Sequence, residues 1–239
     1  TSMNNDFRVY IGYDTREDMA YQVCKFSIEQ HSPNVKVYPL KQKTLREQGW
    51  YQRSNDKLAS TEFTFTRFLV PELANFDGWA VFMDCDMLLT TDIAELFAQA
   101  DDTKAVMCVK HDYAPKEGIK MDGQVQTVYP RKNWSSMMLI NCGHPANKRL
   151  TMDLVNEPEI NGAYLHRFSW LVDEDGQPDD SLIGKLSPEW NWLVGHYSEP
   201  QDGTPKLIHY TEGGPWFENY RHCQYNQLWK KCLYQMMEV

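Results

Sequence analysis

The chain has 239 residues, of which 42% are hydrophobic and 24% charged, with a formal net charge of −9. That length supports a well-filled core in one large domain or two small ones. No run of Lys or Arg exceeds two, which argues against a nucleic-acid surface and a polybasic membrane anchor and leaves any phosphorylated substrate to be held by local cations or a metal.

The 13 Tyr and 8 Trp supply apolar area with a polar handle, as carbohydrate sites do, although a Trp-rich core accounts for most of them. The 6 Cys form no CxxC pair, and Cys24, Cys85, Cys108 and Cys142 lie in apolar runs that read as small buried hydrophobes. No signal peptide precedes Phe7 and no apolar run approaches a membrane span, so a reducing cytoplasm is expected. Residues 1–6 are expected to be disordered or a cloning remnant, and 218–239 a C-terminal tail or helix. No repeat or Pro/Gly/Ser-rich linker divides the chain, so residues 1–239 are expected to form a single domain.

In chain order, Phe7 to Asp14 reads as a first strand entering a loop. Ala20, Val23, Cys24, Ser27 and Ile28 then make an amphipathic helical stripe that Pro33 ends. Val35 to Leu40 alternates as a second strand. This β-loop-α-β opening is typical of α/β folds with a mostly parallel sheet. It lacks a GxGxxG or P-loop pattern, so a dinucleotide fingerprint is unsupported. Lys41 to Ser60 is polar and aperiodic, and is expected to be a loop. Thr61 to Asn75 is expected to be helical and perturbed by Pro71. Its Arg67 falls on a largely apolar segment, either paired or serving as a phosphate or carboxylate clamp.

Trp79-Ala80-Val81-Phe82-Met83 reads as a buried strand, and it runs into Asp84-Cys85-Asp86. Carboxylates at i and i+2 beyond a strand's carboxyl end can share one hard cation, Mg²⁺ or Mn²⁺, or can form an acidic turn. A short helix is expected from Asp92 to about Ala100. A strand over Ala105 to Val109 should deliver His111 and Asp112 at its end. Tyr113 to Asn133 is a long loop of the kind that often serves function. Met137 to Asn141 is strand-like, a helix should follow over Ala146 to Asn156, and another over Gly162 to Val172. Asp173 to Asp180 is acidic. Pro205 to Tyr210 reads as a last strand carrying His209, followed by Gly213-Gly214-Pro215-Trp216. His209 is either structural or a third ligand for the carboxylates, and the two glycines would let backbone N–H groups approach a phosphate.

Asp84-Cys85-Asp86 after an apolar strand resembles the DxD motif of metal-dependent glycosyltransferases with the GT-A fold. Arg67-Phe68-Leu69-Val70-Pro71-Glu72-Leu73 is similar to the R-hh-h-PE-h helix of glycosyltransferase family 8, and Met138-Leu139-Ile140-Asn141 to that family's h-L-I-N strand. Asp179-Asp180-Ser181 stands where the family has D-Q-D. His209 to Trp216 resembles its H-h-x-G-x-x-K-P-W loop. The blocks occur in the family's order over roughly residues 7 to 217. The chain departs from the pattern at three points. Gly214 replaces the family's diphosphate-binding Lys, Trp134-Ser135-Ser136 replaces N-[AS]-G, and Asp180 replaces the central Gln.

The resemblance implies a single GT-A domain with a Rossmann-like, mostly parallel mixed sheet. It implies transfer of a hexose from a nucleotide sugar, UDP-linked by preference, to a carbohydrate or glycoconjugate acceptor, with retention. Asp84, Asp86 and His209 would hold Mn²⁺ or Mg²⁺, which stabilises the diphosphate leaving group. Ile11, Tyr13, Asp14, Lys57, Arg67, Cys85, Gly213 and Gly214 would bind the nucleotide. His111, Asp112, Trp134, Ser135, Ser136 and Asp180 would surround the sugar. Asp180, with Asp179 beside it, would be the carboxylate at the anomeric carbon, unless the pair caps a helix. Asp84 to Leu88 also resembles the DxDx[TV] motif of haloacid-dehalogenase phosphatases, although Leu88 departs from it. A non-catalytic nucleotide-sugar or glycan-binding module is the third reading.

Overall fold

The computed structural model describes residues 7–54, 59–112, 130–198 and 203–238. β1 (Phe7–Gly12), α1 (Asp18–His31) and β2 (Val35–Leu40) form the expected opening, with β1 and β2 parallel from Phe7↔Val35 to Gly12↔Leu40. α1 buries Ala20, Tyr21, Val23, Cys24, Ser27 and Ile28 along one face and stops two residues before Pro33, as an amphipathic stripe and a helix breaker dictate.

Lys41 to Ser60 departs from the expected loop. It contains α2 (Gln42–Glu47), whose single buried residue, Leu45, gives too little apolar signal to mark a helix by period. Thr61 to Asn75 is not one helix either. A 3-10 turn over Thr66–Leu69 leads into the one-turn α3 (Val70–Leu73), with Pro71 in the first turn. Asn75 and Phe76 then take left-handed backbone at φ 55° and 51°, which ends the helix.

β3 (Trp79–Met83) runs parallel to β1 and antiparallel to β6. Ala80 to Met83 are fully buried, because the strand is covered on both faces and accepts no polar residue until it ends. β4 (Met87–Leu89) follows after three residues, and α4 (Ala94–Phe97) is shorter than expected. Then come β5 (Val106–Cys108) and β6 (Met137–Asn141). The expected helix over Ala146 to Asn156 is split into a 3-10 turn, Pro145–Arg149, and α5 (Met152–Asn156). The split falls at Thr151, whose hydroxyl caps α5 by accepting from Leu154 N. α6 (Gly162–His166) ends well short of Val172, because Phe168 is left-handed at φ 59°. β7 (Ile183–Lys185), β8 (Trp192–Leu193), β9 (Leu207–His209) and α7 (Asn226–Met237) complete the described chain.

The six-stranded sheet has the order β2-β1-β3-β6-β5-β7, in which the β1–β2, β1–β3 and β5–β7 pairs are parallel. This is the expected α/β class with a mixed, mostly parallel sheet. A small sheet, β4-β9-β8, stands beside it. The chain leaves the large sheet at Met83 and joins the small one at Met87, so Asp84-Cys85-Asp86 is the link between the two. Two hydroxyls fasten α1 to this region: Ser27 Oγ accepts from Leu89 N at 3.1 Å, and Ser32 Oγ from Ile93 N at 2.9 Å. Among the described residues, no helix is long and apolar enough to cross a membrane.

Candidate metal centre and its surroundings

The backbone of the acidic link is pinned at both ends. Asp84 N donates to Ser136 O and Tyr210 N donates to Asp86 O, both at 2.9 Å. β4 pairs antiparallel with β9, with Met87 opposite His209. That register carries a histidine 123 positions away in sequence to the carboxylates. One ligand atom from each of Asp84, Asp86 and His209 lies within 4.8 Å of the others, so the structure brings together the three residues read as metal ligands.

The donor set fits a divalent cation. Two carboxylates and one imidazole suit Mn²⁺ or Mg²⁺ in an oxygen-rich shell that leaves positions for phosphate. Asp86 Oδ1 is buried without a hydrogen-bond partner among the described residues. His209 Nε2 is 3.1 Å from that oxygen without the alignment of a hydrogen bond. A buried carboxylate oxygen left in this way costs stability unless a cation takes it up.

His209 is oriented from behind. Its Nδ1 is 2.9 Å from Asn191 Oδ1, and Asn191 Nδ2 donates to Ser136 Oγ at 2.8 Å, which in turn donates to Asn133 O at 2.7 Å. The amide oxygen therefore faces the ring, Nδ1 carries the hydrogen, and Nε2 presents its lone pair to the carboxylates. Burial opposes charge on His209, but Asp86 and then Asp84 outweigh it and raise its affinity for a proton. Burial also pushes Asp84 upward, against the nearby Arg67. A cation entering the group displaces this proton affinity, so binding strengthens as pH rises.

Arg67 is paired, as one of its two sequence readings had it. One terminal nitrogen bonds Asp84 Oδ1 and Ser135 O, each at 2.9 Å, and Nε bonds Phe63 O at 3.2 Å. Its side chain is 6% exposed, and the guanidinium lies 4.8 Å from the Phe82 ring centroid. Its visible task is to hold Asp84.

The residues read as nucleotide-binding divide into several environments. Ile11 is buried in β1 opposite Met83. Tyr13 donates to Asp18 Oδ1 at 2.7 Å and lies edge-on to Tyr21. The Asp14 carboxylate is fully engaged, accepting from Arg16 N, from the Arg16 guanidinium and from Glu62 N. Burial would raise its pKa, but these donors outweigh burial and hold it below the usual carboxylate range. Cys85 is buried, with Sγ 3.7 Å from Glu17 Oε2. Lys57 lies outside the described residues. Gly213 has φ 133°, and a Cβ there would meet the Tyr220 ring at 2.7 Å; one on Gly214 would lie 1.9 Å from the Trp216 ring.

The residues read as sugar-binding do not form one group. Trp134 Nε1 donates to His111 O at 3.1 Å, and Ser135 Oγ lies 2.6 Å from His166 Nδ1. His111 Nδ1 bonds the Tyr197 hydroxyl, while its Nε2 is buried with no partner among the described residues. Burial, helped by His209 and His196, lowers the His111 pKa to about 3, so the ring is neutral. Asp112 is exposed. Asp179 accepts from Ser181 N and so caps the 3-10 turn Asp180–Leu182. Asp180 pairs with Arg131 at 2.7 Å, and its side chain is 70% exposed. Both residues precede β7, which runs parallel to β5, whereas His111 and Asp112 follow β5. Among the described residues, no hydrogen bond or ion pair links Asp179 or Asp180 to the Asp84 group.

Three participants were missed from sequence. Asn191 lies between two tryptophans, where an amide looks like a turn residue. Tyr197 sits in a segment without period. Glu17 follows β1 at the spacing Asp14-x-x-Glu17, which reads as a helix cap. Its carboxyl is raised by burial first and then by Asp86 and Asp14, so it faces the same acidic group.

No protein-family model matches the chain. The fold is similar to that of the glycosyltransferase GlyE of Streptococcus pneumoniae TIGR4, at TM-score 0.62 and 15% identity, covering 96% of this chain and 60% of GlyE. It is also similar to the galactosyltransferase LgtC, whose structure was solved with donor and acceptor sugar analogs, at TM-score 0.58 and 12% identity, covering 98% and 97%. The chain thus spans about three-fifths of GlyE and nearly all of LgtC. These likenesses establish the GT-A fold and no more. In sequence, Protein CDI of Arabidopsis thaliana is 51% identical over 233 residues, which is 96% of this chain and 86% of CDI. With that identity along almost the whole chain, this chain belongs to the family of Protein CDI.

Proposed function

We propose that the chain is a metal-dependent glycosyltransferase, a relative of family 8, that moves a hexose from a UDP-linked donor to a carbohydrate or glycoconjugate acceptor. The observation that carries the reading is the convergence of Asp84, Asp86 and His209 within 4.8 Å at the strand ends of a GT-A fold, with Asp86 Oδ1 buried and without a hydrogen bond among the described residues. When bound there, Mn²⁺ or Mg²⁺ supplies Lewis-acid stabilisation of the departing diphosphate.

The chain's own residues do the rest. Asn191 orients His209, and Arg67 fixes Asp84. Tyr13 and the main chain beyond β1 take the nucleobase and ribose. His111 Nε2 offers its open hydrogen-bonding position to a donor-sugar hydroxyl, with Trp134 as the apolar wall. With one terminal nitrogen of Arg67 engaged by Asp84 and Ser135, the diphosphate is held chiefly by the cation and by backbone N–H groups of the Gly213-Gly214 loop. For the carboxylate at the anomeric carbon, and so for retention, we keep Asp180 on its place in the motif order. The described Cys residues are all free thiols, which supports a reducing cytoplasm.

Calorimetry of UDP binding with Mn²⁺ and with EDTA tests the reading. Affinity that needs the metal and is lost in Asp86→Ala is the expected result. UDP affinity indifferent to both would sink it.

A further inference from the structure

A cavity of about 680 Å³ lies between the turn around Thr64, the segment from Pro130 to Ser135, and α6. Three cationic side chains line it, Arg131, Lys132 and Arg167, and no Asp or Glu does so among the described residues. This reverses the balance of the whole chain, in which 33 acidic residues face 24 basic ones. The rest of the wall includes Phe65, small residues and hydroxyls. A neutral sugar gains little from such a charge pattern, whereas an anionic one gains charge-assisted hydrogen bonds.

Of the three cations, Arg131 is held in place. Arg131 stands in left-handed backbone at φ 58°. Its guanidinium lies 5.1 Å from the Trp134 ring centroid and donates to Arg167 O at 2.7 Å. Asp180, its carboxylate partner, does not itself line the cavity. The Arg167 guanidinium is exposed and has no carboxylate within ion-pair distance among the described residues. His166 adds no charge, since burial and the nearby Arg67 lower its pKa to about 3; its ring nitrogens meet Ser135 Oγ at 2.6 Å and Thr64 O at 3.0 Å. The field therefore comes from Arg and Lys and persists across neutral pH.

The cavity also borders the metal centre. Ser135 lines it, and the carbonyl of the same residue accepts from the Arg67 nitrogen that bonds Asp84. One guanidinium separates the cavity wall from a metal-binding carboxylate.

We propose that this cavity receives the anionic group, a carboxylate or a phosphate, of an acidic acceptor. The word acceptor rests on the transferase reading above. The anion site itself rests on the cavity.

Binding of D-glucuronate, D-glucose 6-phosphate and D-glucose to the whole chain, followed by NMR in EDTA so that no metal holds the phosphate, provides the test. At least one anion should bind tenfold or more tighter than glucose, with shifts centred on residues 162–167. Which anion does so identifies the group. Arg167→Gln should weaken that anion at least threefold and Arg167→Glu should abolish the preference, with glucose unaffected. Both changes fall on an exposed side chain, and circular dichroism checks the fold. Equal affinity for all three probes, or a preference that survives Arg167→Glu, overturns the inference. UDP binding that needs Mn²⁺, without anion preference, sinks this inference alone. Anion preference without Mn²⁺-dependent UDP binding overturns the acceptor assignment together with the transferase reading.

Discussion

The Nδ1 of His209 lies 2.9 Å from Oδ1 of Asn191, and that one contact decides which ring nitrogen meets Asp86. The partner amide nitrogen is already spent on Ser136 Oγ, so the orientation is over-determined. Asn191→Ala frees the ring to turn or to change tautomer. Loss of such a supporting partner costs about 10–100-fold in metal affinity in comparable sites. A Mn²⁺ titration should register a loss of that size while the fold survives. Unchanged Mn²⁺ affinity would reduce Asn191 to a core hydrogen bond.

Asp86 pays in stability for its availability. Its Oδ1 is buried and makes no hydrogen bond among the described residues, with the His209 ring beside it at 3.1 Å, and a buried polar group left short of partners costs about 1–3 kcal/mol. Asp86→Ala should therefore melt no lower than the parent in EDTA, and a few degrees higher if the site collapses, since about 1 kcal/mol is worth roughly 2–4 °C at this size. Added Mn²⁺ should then raise the parent's melting temperature and leave the variant unmoved. A variant melting several degrees below the parent in EDTA would place the carboxylate among the groups that hold the fold.

Arg67 and Asp84 form a pair whose side chains are 6% and 17% exposed. Removing one member leaves the other charge buried, which typically costs about 3–5 kcal/mol. Arg67→Ala should approach that loss in urea unfolding, because it also abandons the carbonyls of Ser135 and Phe63. The double change Arg67→Met with Asp84→Leu should recover part of it. If the double variant is no more stable than Arg67→Ala, the loss comes from the two carbonyls and not from the stranded carboxylate.

These relationships mark what could be read from sequence. β1, α1, β2, β3 and β6 were legible because long periodic or continuously apolar segments have one favourable burial. The Asp84-Cys85-Asp86 link was legible because a continuously apolar strand stops at it, although the motif alone left a cation site and an acidic turn both open. α2, with one buried leucine, and β7, three residues containing Gly184, carry too few apolar positions to set a period. The breaks at Thr151 and Phe168 come from a cap and a left-handed residue, which act locally and leave the apolar pattern intact. Arg67 was recognised as exceptional, but its partner depends on a contact between residues 17 positions apart in sequence. Asn191 was invisible for the same reason, because its two partners come from β9 and from the turn before β6.

His166 gives the chain an acid sensitivity outside the metal group. Burial, with Arg67 nearby, lowers its pKa to about 3, against an ordinary value of 6.5. Between those values the unfolded chain binds the proton and the folded chain does not, so stability rises with pH through the window and is lost as pH falls below about 6.5. One such group contributes about 1.4 kcal/mol per pH unit. His111 shifts in the same direction. Asp84 and Glu17, whose carboxyls are raised, take up protons in the folded chain and offset part of the slope. His166→Gln should therefore lose stability from pH 6 to 5 with a slope about one proton smaller than the parent's. Urea midpoints at pH 7, 6 and 5 measure both. Parallel slopes would mean that His166 takes up its proton without unfolding the chain.

The structure shows what would meet a lysine at Gly214, the position that carries one in the family 8 loop that His209 to Trp216 resembles. A Cβ on Gly214 would lie 1.9 Å from the Trp216 ring, far inside contact distance. That ring is itself hemmed in by Tyr210 and Trp229, with centroids at 6.0 and 5.4 Å. The indole has packed into the space a side chain would need, so the loop can offer backbone and no cation. Gly214→Lys should therefore not restore a phosphate clamp. It should destabilise the chain by about 1–3 kcal/mol through overpacking and weaken metal-dependent UDP binding. Gly214→Ala should show most of the same stability loss, because the clash begins at Cβ. A lysine variant that binds UDP more tightly than the parent, at unchanged stability, would mean that Trp216 swings out readily and that the glycine is a choice of chemistry and not of space.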